Sequence, residues 1–204
     1  MATHLALAAH LRGLAALLAD TDPQHSAQDV LSAREIPGPA CVAGAGGKLL
    51  TALFEATSQK KDLFVIDTPA GAVEDVTEAI VLADLSVLVV RPTLLDIAGM
   101  ARTFSIVRRL GKPSIVLVNQ APHAREGVEP PLVKRALRAL DYMKVPVAPV
   151  ILRSRSVYQT ALERGRSAEE TPDKAAAQEM AALWDFVHAS LSARPEVEAR
   201  EGVA

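Results

Sequence analysis

Four short polar clusters, each placed directly behind an apolar run, hold the residues best suited to chemistry. Asp20-Thr21-Asp22-Pro23-Gln24 follows one run and Asp67-Thr68-Pro69-Ala70-Gly71 closes the next. Arg91-Pro92-Thr93 and Asn119-Gln120-Ala121-Pro122 follow two more. Carboxylates at such positions suit magnesium, a hard cation that takes oxygen ligands. With hydroxyls, an amide and a guanidinium beside them, they describe a polar rim facing metal and phosphate. Each cluster also has a plainer reading. Asp20 to Pro23 can be an acidic cap on a strand-to-helix turn, and an asparagine at a strand end is often a turn residue.

The elements that position these clusters follow from hydrophobic patterning. Strands are expected at 14–19, 40–43, 63–67, 85–91, 114–119 and 147–152. Helices are expected near 3–12, 26–33, 48–58, 73–83, 94–110, 130–143, 156–164 and 174–192. The runs at 63–67, 85–91 and 114–119 are nearly continuous in apolar residues, as in strands covered on both faces. Alternation of such strands with helices indicates a parallel α/β sheet. In open parallel sheets ligands bind beyond the carboxyl ends of the strands, where the four clusters fall.

Composition narrows the function classes. The 204 residues suit a single domain, expected over 1–192 with a frayed tail at 193–204. Half of them are hydrophobic, which argues against a disordered chain. One cysteine, Cys41, leaves neither an internal disulfide nor a cysteine-built metal site, and suits a reducing, cytoplasmic compartment. Aromatic residues are 3%, too few for a base-stacking platform. No run approaches the roughly 18 apolar residues of a membrane span. The first 20 residues are broken by His4, His10 and Arg12, unlike a secretory leader. The net charge of −2 hides an asymmetry. Residues 102–166 hold 13 Lys/Arg against four acids, and the rest hold 9 against 20. That basic stretch reads equally as a polyanion-binding surface or as solvated helix faces.

Taken in order, these segments resemble the ParA/MinD family of partition and positioning ATPases. LLADTDPQHSAQDVLSAR is similar to the family's stretch after its second strand, and DLFVIDTPAG resembles its Walker B strand. Arg91-Pro92-Thr93 with its following helix, VLVNQAP, and VAPVILRSRSVYQTALERGRSAEE match later landmarks, so the resemblance covers roughly residues 3–190. It implies a three-layer α/β fold of the P-loop NTPase type, mostly parallel, with helices on both sheet faces. It also implies ATP and Mg2+ as cofactors. By the same resemblance, Asp22 assists the attacking water, Asp20 beside it and Asp67 are cofactor-binding, Asp67 also organises magnesium, and Asn119 and Pro122 belong to the cofactor's adenine loop. Arg153 and Arg155 fall in the region that meets DNA phosphates without sequence specificity, generally in the ATP-bound dimer.

One departure stands against the pattern. The family opens with a strand and a phosphate loop, K-G-G-x-G-K-[ST], whose backbone N–H groups and lysine hold the phosphates. Here residues 4–12 already resemble the helix after that loop. Gly111-Lys112 precedes Pro113 and has the wrong context. Ala43-Gly44-Ala45-Gly46-Gly47-Lys48-Leu49 lies between a strand and a helix, but lacks the first lysine, the second glycine and the Ser/Thr. In the family the absent strand lies inside the sheet, beside the Walker B strand. The sheet is therefore expected to come together differently, to recruit a partner strand or to be marginal, unless the reading frame starts further upstream.

The C-terminal helix carries no basic face, which separates the chain from the membrane-targeted MinD branch and places it with ParA. The expected function is thus ParA-like partition of a plasmid, chromosome or other cargo, in the cytoplasm or on the nucleoid, with ATP binding in doubt. The implied partners are non-specific DNA, a centromere-binding partition protein, and a second copy or a ParA-type ATPase in a dimer; no membrane is implied. The alternative is a nucleotide-independent adaptor that pairs with a full-length partition ATPase or with the centromere-binding protein.

Overall fold

The computed structural model describes residues 1–44, 47–69 and 73–193, with the side chains of 73–75 left undescribed. Six strands and eight α-helices alternate along the chain. The strands are β1 (Ala16–Asp20), β2 (Ala40–Ala43), β3 (Leu63–Asp67), β4 (Ser86–Val90), β5 (Ser114–Ala121) and β6 (Val147–Arg153). The helices are α1 (Ala2–Leu11), α2 (Ser26–Ser32), α3 (Leu49–Ser58), α4 (Val73–Leu82), α5 (Leu94–Arg109), α6 (Pro131–Tyr142), α7 (Val157–Leu162) and α8 (Lys174–Ser192). A 3-10 turn, Ala168–Glu170, precedes α8. Every expected strand and helix is present. The tail expected over 193–204 falls outside the described residues from 194 onward.

All strand pairs are parallel, but the ladder is divided. β2-β1-β3 form one three-stranded sheet and β4-β5-β6 another. Among the described residues no ladder joins β3 to β4, so each carries a row of backbone groups outside the sheet on one side. Burial follows this division. β1 and the first five residues of β5 are buried throughout, whereas all five residues of β3 are half-buried and Val89 of β4 is 42% exposed.

Side chains, rather than backbone hydrogen bonds, hold the two sheets together. Successive residues of a strand point to opposite faces, and β5 shows it plainly. Ile115 and Leu117 join one cluster, Val116 and Val118 the other. The first cluster spans both sheets, with Leu5, Ala8 and Ala9 of α1, Ala16 of β1, and Met180, Leu183 and Trp184 of α8. Leu63 of β3 and Leu85 and Val87 beside β4 pack against it. On the opposite face, α5 and α6 cover the second sheet through Ile97, Met100, Val133 and Leu140. Leu49, Ala52 and Ala79 cover the first. Helix α1 is buried from Thr3 to Ala9, because β1, β3, α2 and α8 enclose it.

Strands paired on both sides resist local opening more than strands paired on one. Native-state hydrogen exchange should therefore protect β1 and β5 most strongly, and leave alternate amides of β3 and β4 fast. Uniform protection across all six strands would contradict the divided sheet.

Candidate functional site at the carboxyl ends of the strands

Because the strands within each sheet are parallel, their carboxyl ends share an edge, with the Asp20 and Asp67 clusters at that of the first sheet and the Arg91 and Asn119 clusters at that of the second. In the first sheet Asp20 and Asp67 are register partners on β1 and β3. Asp20 is fully buried and its carboxylate is saturated by main chain. Oδ1 accepts from the N–H of Asp22 at 3.1 Å, and Oδ2 accepts from Ala27 and Gln28 at 3.0 and 3.1 Å. It thus satisfies donors of the first turn of α2, which otherwise lack partners. The turn reading and the site reading meet in this one residue. Asp22 is half-buried and folds its own loop, its Oδ1 accepting from the N–H of Gln24 at 2.9 Å. The Thr21 hydroxyl donates to the Asp67 carbonyl at 2.7 Å, tying the two strand ends together.

Among the described residues no such donor holds the Asp67 carboxyl. Burial pushes its pKa up from the ordinary aspartate value, the Met1 ammonium opposes this, and Asp20 and Asp22 add to the rise. The Met1 ammonium is itself pushed down by burial, against the attraction of Asp67. Cys41 on β2 is pushed up to about 11 by burial and by Asp20 and Asp67, so it carries no thiolate at neutral pH. A raised carboxyl pKa means that the folded state favours the protonated form. Asp67 therefore costs stability at neutral pH, and the cost disappears as pH falls below the unfolded value. Asp67→Asn should melt higher than the parent at pH 7, and the gain should shrink in melts at pH 4. A lower melting temperature at pH 7 would contradict this assignment.

The second sheet contributes a polar cavity of about 290 Å3, lined by Val89, Val90, Arg91, Asp96, Asn119 and Gln120. Arg91 grips both oxygens of Asp96 through Nε and Nη2, at 2.9 and 3.0 Å. Thr93 caps α5, accepting from the Asp96 N–H at 3.1 Å while its hydroxyl donates to Asp96 Oδ2 at 2.7 Å. Asn119 lies within β5, which continues to Ala121 rather than ending at 119. The cause is a bulge. The β5–β6 register shifts between Val118 and Ala121, and Gln120 adopts a left-handed φ of 52°. Bulges re-aim side chains at sheet ends, and this one sets Asn119 and Gln120 in the cavity wall. Gln120 was not singled out in the sequence, where nothing marks a left-handed glutamine. Pro122 is exposed, and its carbonyl accepts from Arg153 Nη1 at 3.0 Å.

Arg153 and Arg155 are both engaged within the protein. Arg153 forms a two-pronged ion pair with Glu129, which raises its pKa and lowers that of Glu129. Arg155 donates to Glu179 Oε1 at 3.0 Å. Glu179 of α8 also accepts from the Arg153 N–H and the Tyr158 hydroxyl, at 2.9 and 2.8 Å.

The fit of a magnesium–nucleotide group to this edge is uneven. Asp67 has a free carboxylate suited to magnesium, and Asn119 has an amide suited to a base. Among the described residues no cluster of three or more His, Cys, Asp or Glu is arranged to hold a metal, so a cation there would depend on further ligands. Among the described residues a triphosphate finds no built cradle. The groups around Asp67 are carboxylates, the Thr21 hydroxyl and the Met1 ammonium, and the Gly44 N–H is already donated to the Asp20 carbonyl at 2.7 Å. Residues 45 and 46 of the glycine-rich turn lie outside the described residues.

No protein-family model matches the chain, and no curated protein matches it in sequence. Solved structures do match in fold. Apo McdA from Cyanothece is 16% identical with a TM-score of 0.73, over 91% of this chain and 93% of that one. The MinD cell division protein of Aquifex aeolicus is 18% identical with a TM-score of 0.70, over 92% and 90%. A putative plasmid partition protein from Borrelia burgdorferi bound to AMPPNP is 12% identical with a TM-score of 0.68, over 93% and 92%. The architecture is therefore the α/β fold of ParA- and MinD-type proteins.

Proposed function

We propose that this chain is a ParA-like partition or cargo-positioning protein that works on DNA and on a partner protein, with nucleotide binding weak or absent in these residues. What supports the reading is a ParA-type fold with Asp20, Asp22 and Asp67 at the strand ends of its first sheet and Asn119 near the end of β5 in its second. Asp22 would assist hydrolysis, Asp67 would organise magnesium and Asn119 with Pro122 would face a base in any form of the protein that completes the phosphate site. The ATP- and AMPPNP-bound states of proteins with this fold support nucleotide as the ancestral ligand. No helix among the described residues is long and apolar enough to cross a membrane, in keeping with a protein that works on DNA in the cytoplasm.

DNA would be met by the basic stretch over 102–166, including Arg153 and Arg155 once Glu129 and Glu179 release them. Binding of this kind rests on counterion release. A gel-shift titration with random-sequence duplex should show affinity falling steeply with salt, and Arg153→Ala and Arg155→Ala should flatten that dependence. Affinity indifferent to salt, or absent at low salt, would contradict the DNA reading.

One observation favours the adaptor reading as a second function. The carboxylate of Asp20 is fully used by main chain, and the Asp20 and Asp22 carboxylates face Asp67 against the single Met1 ammonium. A protein of this kind would pair with a full-length partition ATPase or with a centromere-binding protein and act without nucleotide. Co-purification with a ParA-type ATPase that persists without ATP supports that role, and a strict ATP requirement opposes it.

A further inference from the structure

At the start of α5, Leu94 is 69% exposed and Leu95 86%, and Leu132 at the start of α6 is 36% exposed. Isolated exposed leucines are ordinary, but these three are contiguous. The inward face of α5 is already supplied by Ile97, Met100 and Val107, so the fold leaves the two leucines outside. With Pro92, Thr93, Arg135 and Ala136 they line a groove of about 270 Å3. The Thr93 hydroxyl in that lining is bonded to Asp96, and Asp96 is held by Arg91, so neither is free to face a ligand. What remains is an apolar floor with one cation, Arg135. Lys134 and Arg138 on the same helix are exposed, and none of the three forms an ion pair among the described residues. The acid of α6, Asp141, lies 3.9 Å from Lys144.

We propose that this groove docks an acidic amphipathic segment of a partner protein, with aliphatic anchors on the leucine floor and carboxylates against Arg135 and, one turn on, Arg138. The charge pattern chooses the occupant. A second copy seated symmetrically would set the same cations against each other, because a two-fold contact pairs a patch with itself. Nucleic acid would satisfy the cations and leave the leucines in water. A helix laying an apolar face into a groove, with anchors at helical spacing, satisfies both parts. The groove borders the strand-end edge through Pro92 and Thr93, and its cations belong to the basic stretch over 102–166, so the test includes duplex DNA to separate the two readings.

The test uses the full chain and a fluorescent 15-residue peptide of leucine, glutamate and alanine, with leucines at i, i+3, i+4 and i+7. One control peptide has the leucines scattered around the helix, and the other has lysine for glutamate. Fluorescence anisotropy should show the acidic amphipathic peptide binding at least about tenfold tighter than either control, a gap of about 1.4 kcal/mol. Leu95→Asp and Arg135→Glu should each weaken it by a similar factor. Both positions are exposed, and circular dichroism melts of the variants check that the fold is retained. Equal binding of a control peptide, no loss on Leu95→Asp, or no binding at all would overturn the proposal. So would light scattering that shows a dimer disrupted by Leu95→Asp, or duplex DNA binding that Leu95→Asp abolishes.

Discussion

Replacing Glu170 by alanine should lower the stability of the chain by about 3–5 kcal/mol, the scale for stranding one member of a buried ion pair. Its partner, Arg34, has a side chain only 3% exposed, and every bond of its guanidinium goes inward. Nη1 and Nη2 donate to the two oxygens of Glu170 at 2.9 Å each, Nη1 donates to the Gly165 carbonyl at 2.7 Å, and Nε donates to the Pro37 carbonyl at 2.9 Å. Glu170 also accepts from the Ser167 N–H at 2.8 Å and closes a capping box with the Ser167 side chain. Alanine removes the two-pronged pair and the Ser167 contact at once and leaves Arg34 charged and buried without its carboxylate, with only the Gly165 and Pro37 carbonyls as partners. At about 2–4 °C per kcal/mol for a chain of this size, a thermal melt reads the effect directly. Gly165 belongs to the same clamp. It has a φ of +61°, and a Cβ there would lie 2.5–2.7 Å from Arg34 Cβ, Cα and N. Gly165→Ala should therefore be similarly damaging, since backbone cannot move aside as a side-chain tip can. Loss of less than about 1 kcal/mol from either substitution would show that the clamp is not the staple described.

The second large effect depends on pH. Burial and the neighbouring Met1 ammonium lower the pKa of His4 from 6.5 to about 4, against a hydrogen bond to the Tyr158 carbonyl that raises it. Nε2 makes that bond at 3.0 Å, Nδ1 is buried without a partner, and the Tyr158 ring meets the imidazole edge-on at 5.7 Å. The sign follows from linkage. The unfolded chain takes up a proton near pH 6.5 while the folded chain resists it, so the contribution of neutral His4 is complete above that pH. It is lost as pH falls toward about 4. At 1.36 kcal/mol per unit the loss is about 3 kcal/mol. His4→Gln keeps an N–H for the Tyr158 carbonyl and cannot titrate. Denaturant melts across this range should show the parent losing stability that the variant retains. Parallel pH profiles would contradict the assignment.

The elements were legible because apolar runs and helical periodicity are local properties. The six strands and eight α-helices stand where the patterning puts them. What was not legible depends on pairings distant in sequence. Arg34 and Glu170 are 136 residues apart, and Glu179 reaches Arg153 and Arg155 from a different element. Nothing in a one-dimensional pattern couples them, so Arg153 and Arg155 read as free cations although each is engaged. The end of β5 was missed for a different reason. A left-handed backbone is usually announced by glycine, whereas here Gln120 adopts it inside Asn-Gln-Ala. The division of the sheet follows from which strands meet rather than from which segments are strands. β3 is half-buried along its whole length, while β4 mixes buried, half-buried and exposed residues. Asp20 was read as a neighbour of the site. Its chemistry, accepting three main-chain N–H groups, is that of a cap holding α2 against the strand ends.

The most direct test of the account is calorimetric titration of the 204-residue chain with ATP in the presence and absence of magnesium. The proposed reading, in which nucleotide binding is weak or absent, predicts no saturable heat up to about 1 mM ATP, with or without the metal. Saturable, magnesium-dependent binding in the micromolar range would contradict it, and would mean that these residues assemble a complete nucleotide site.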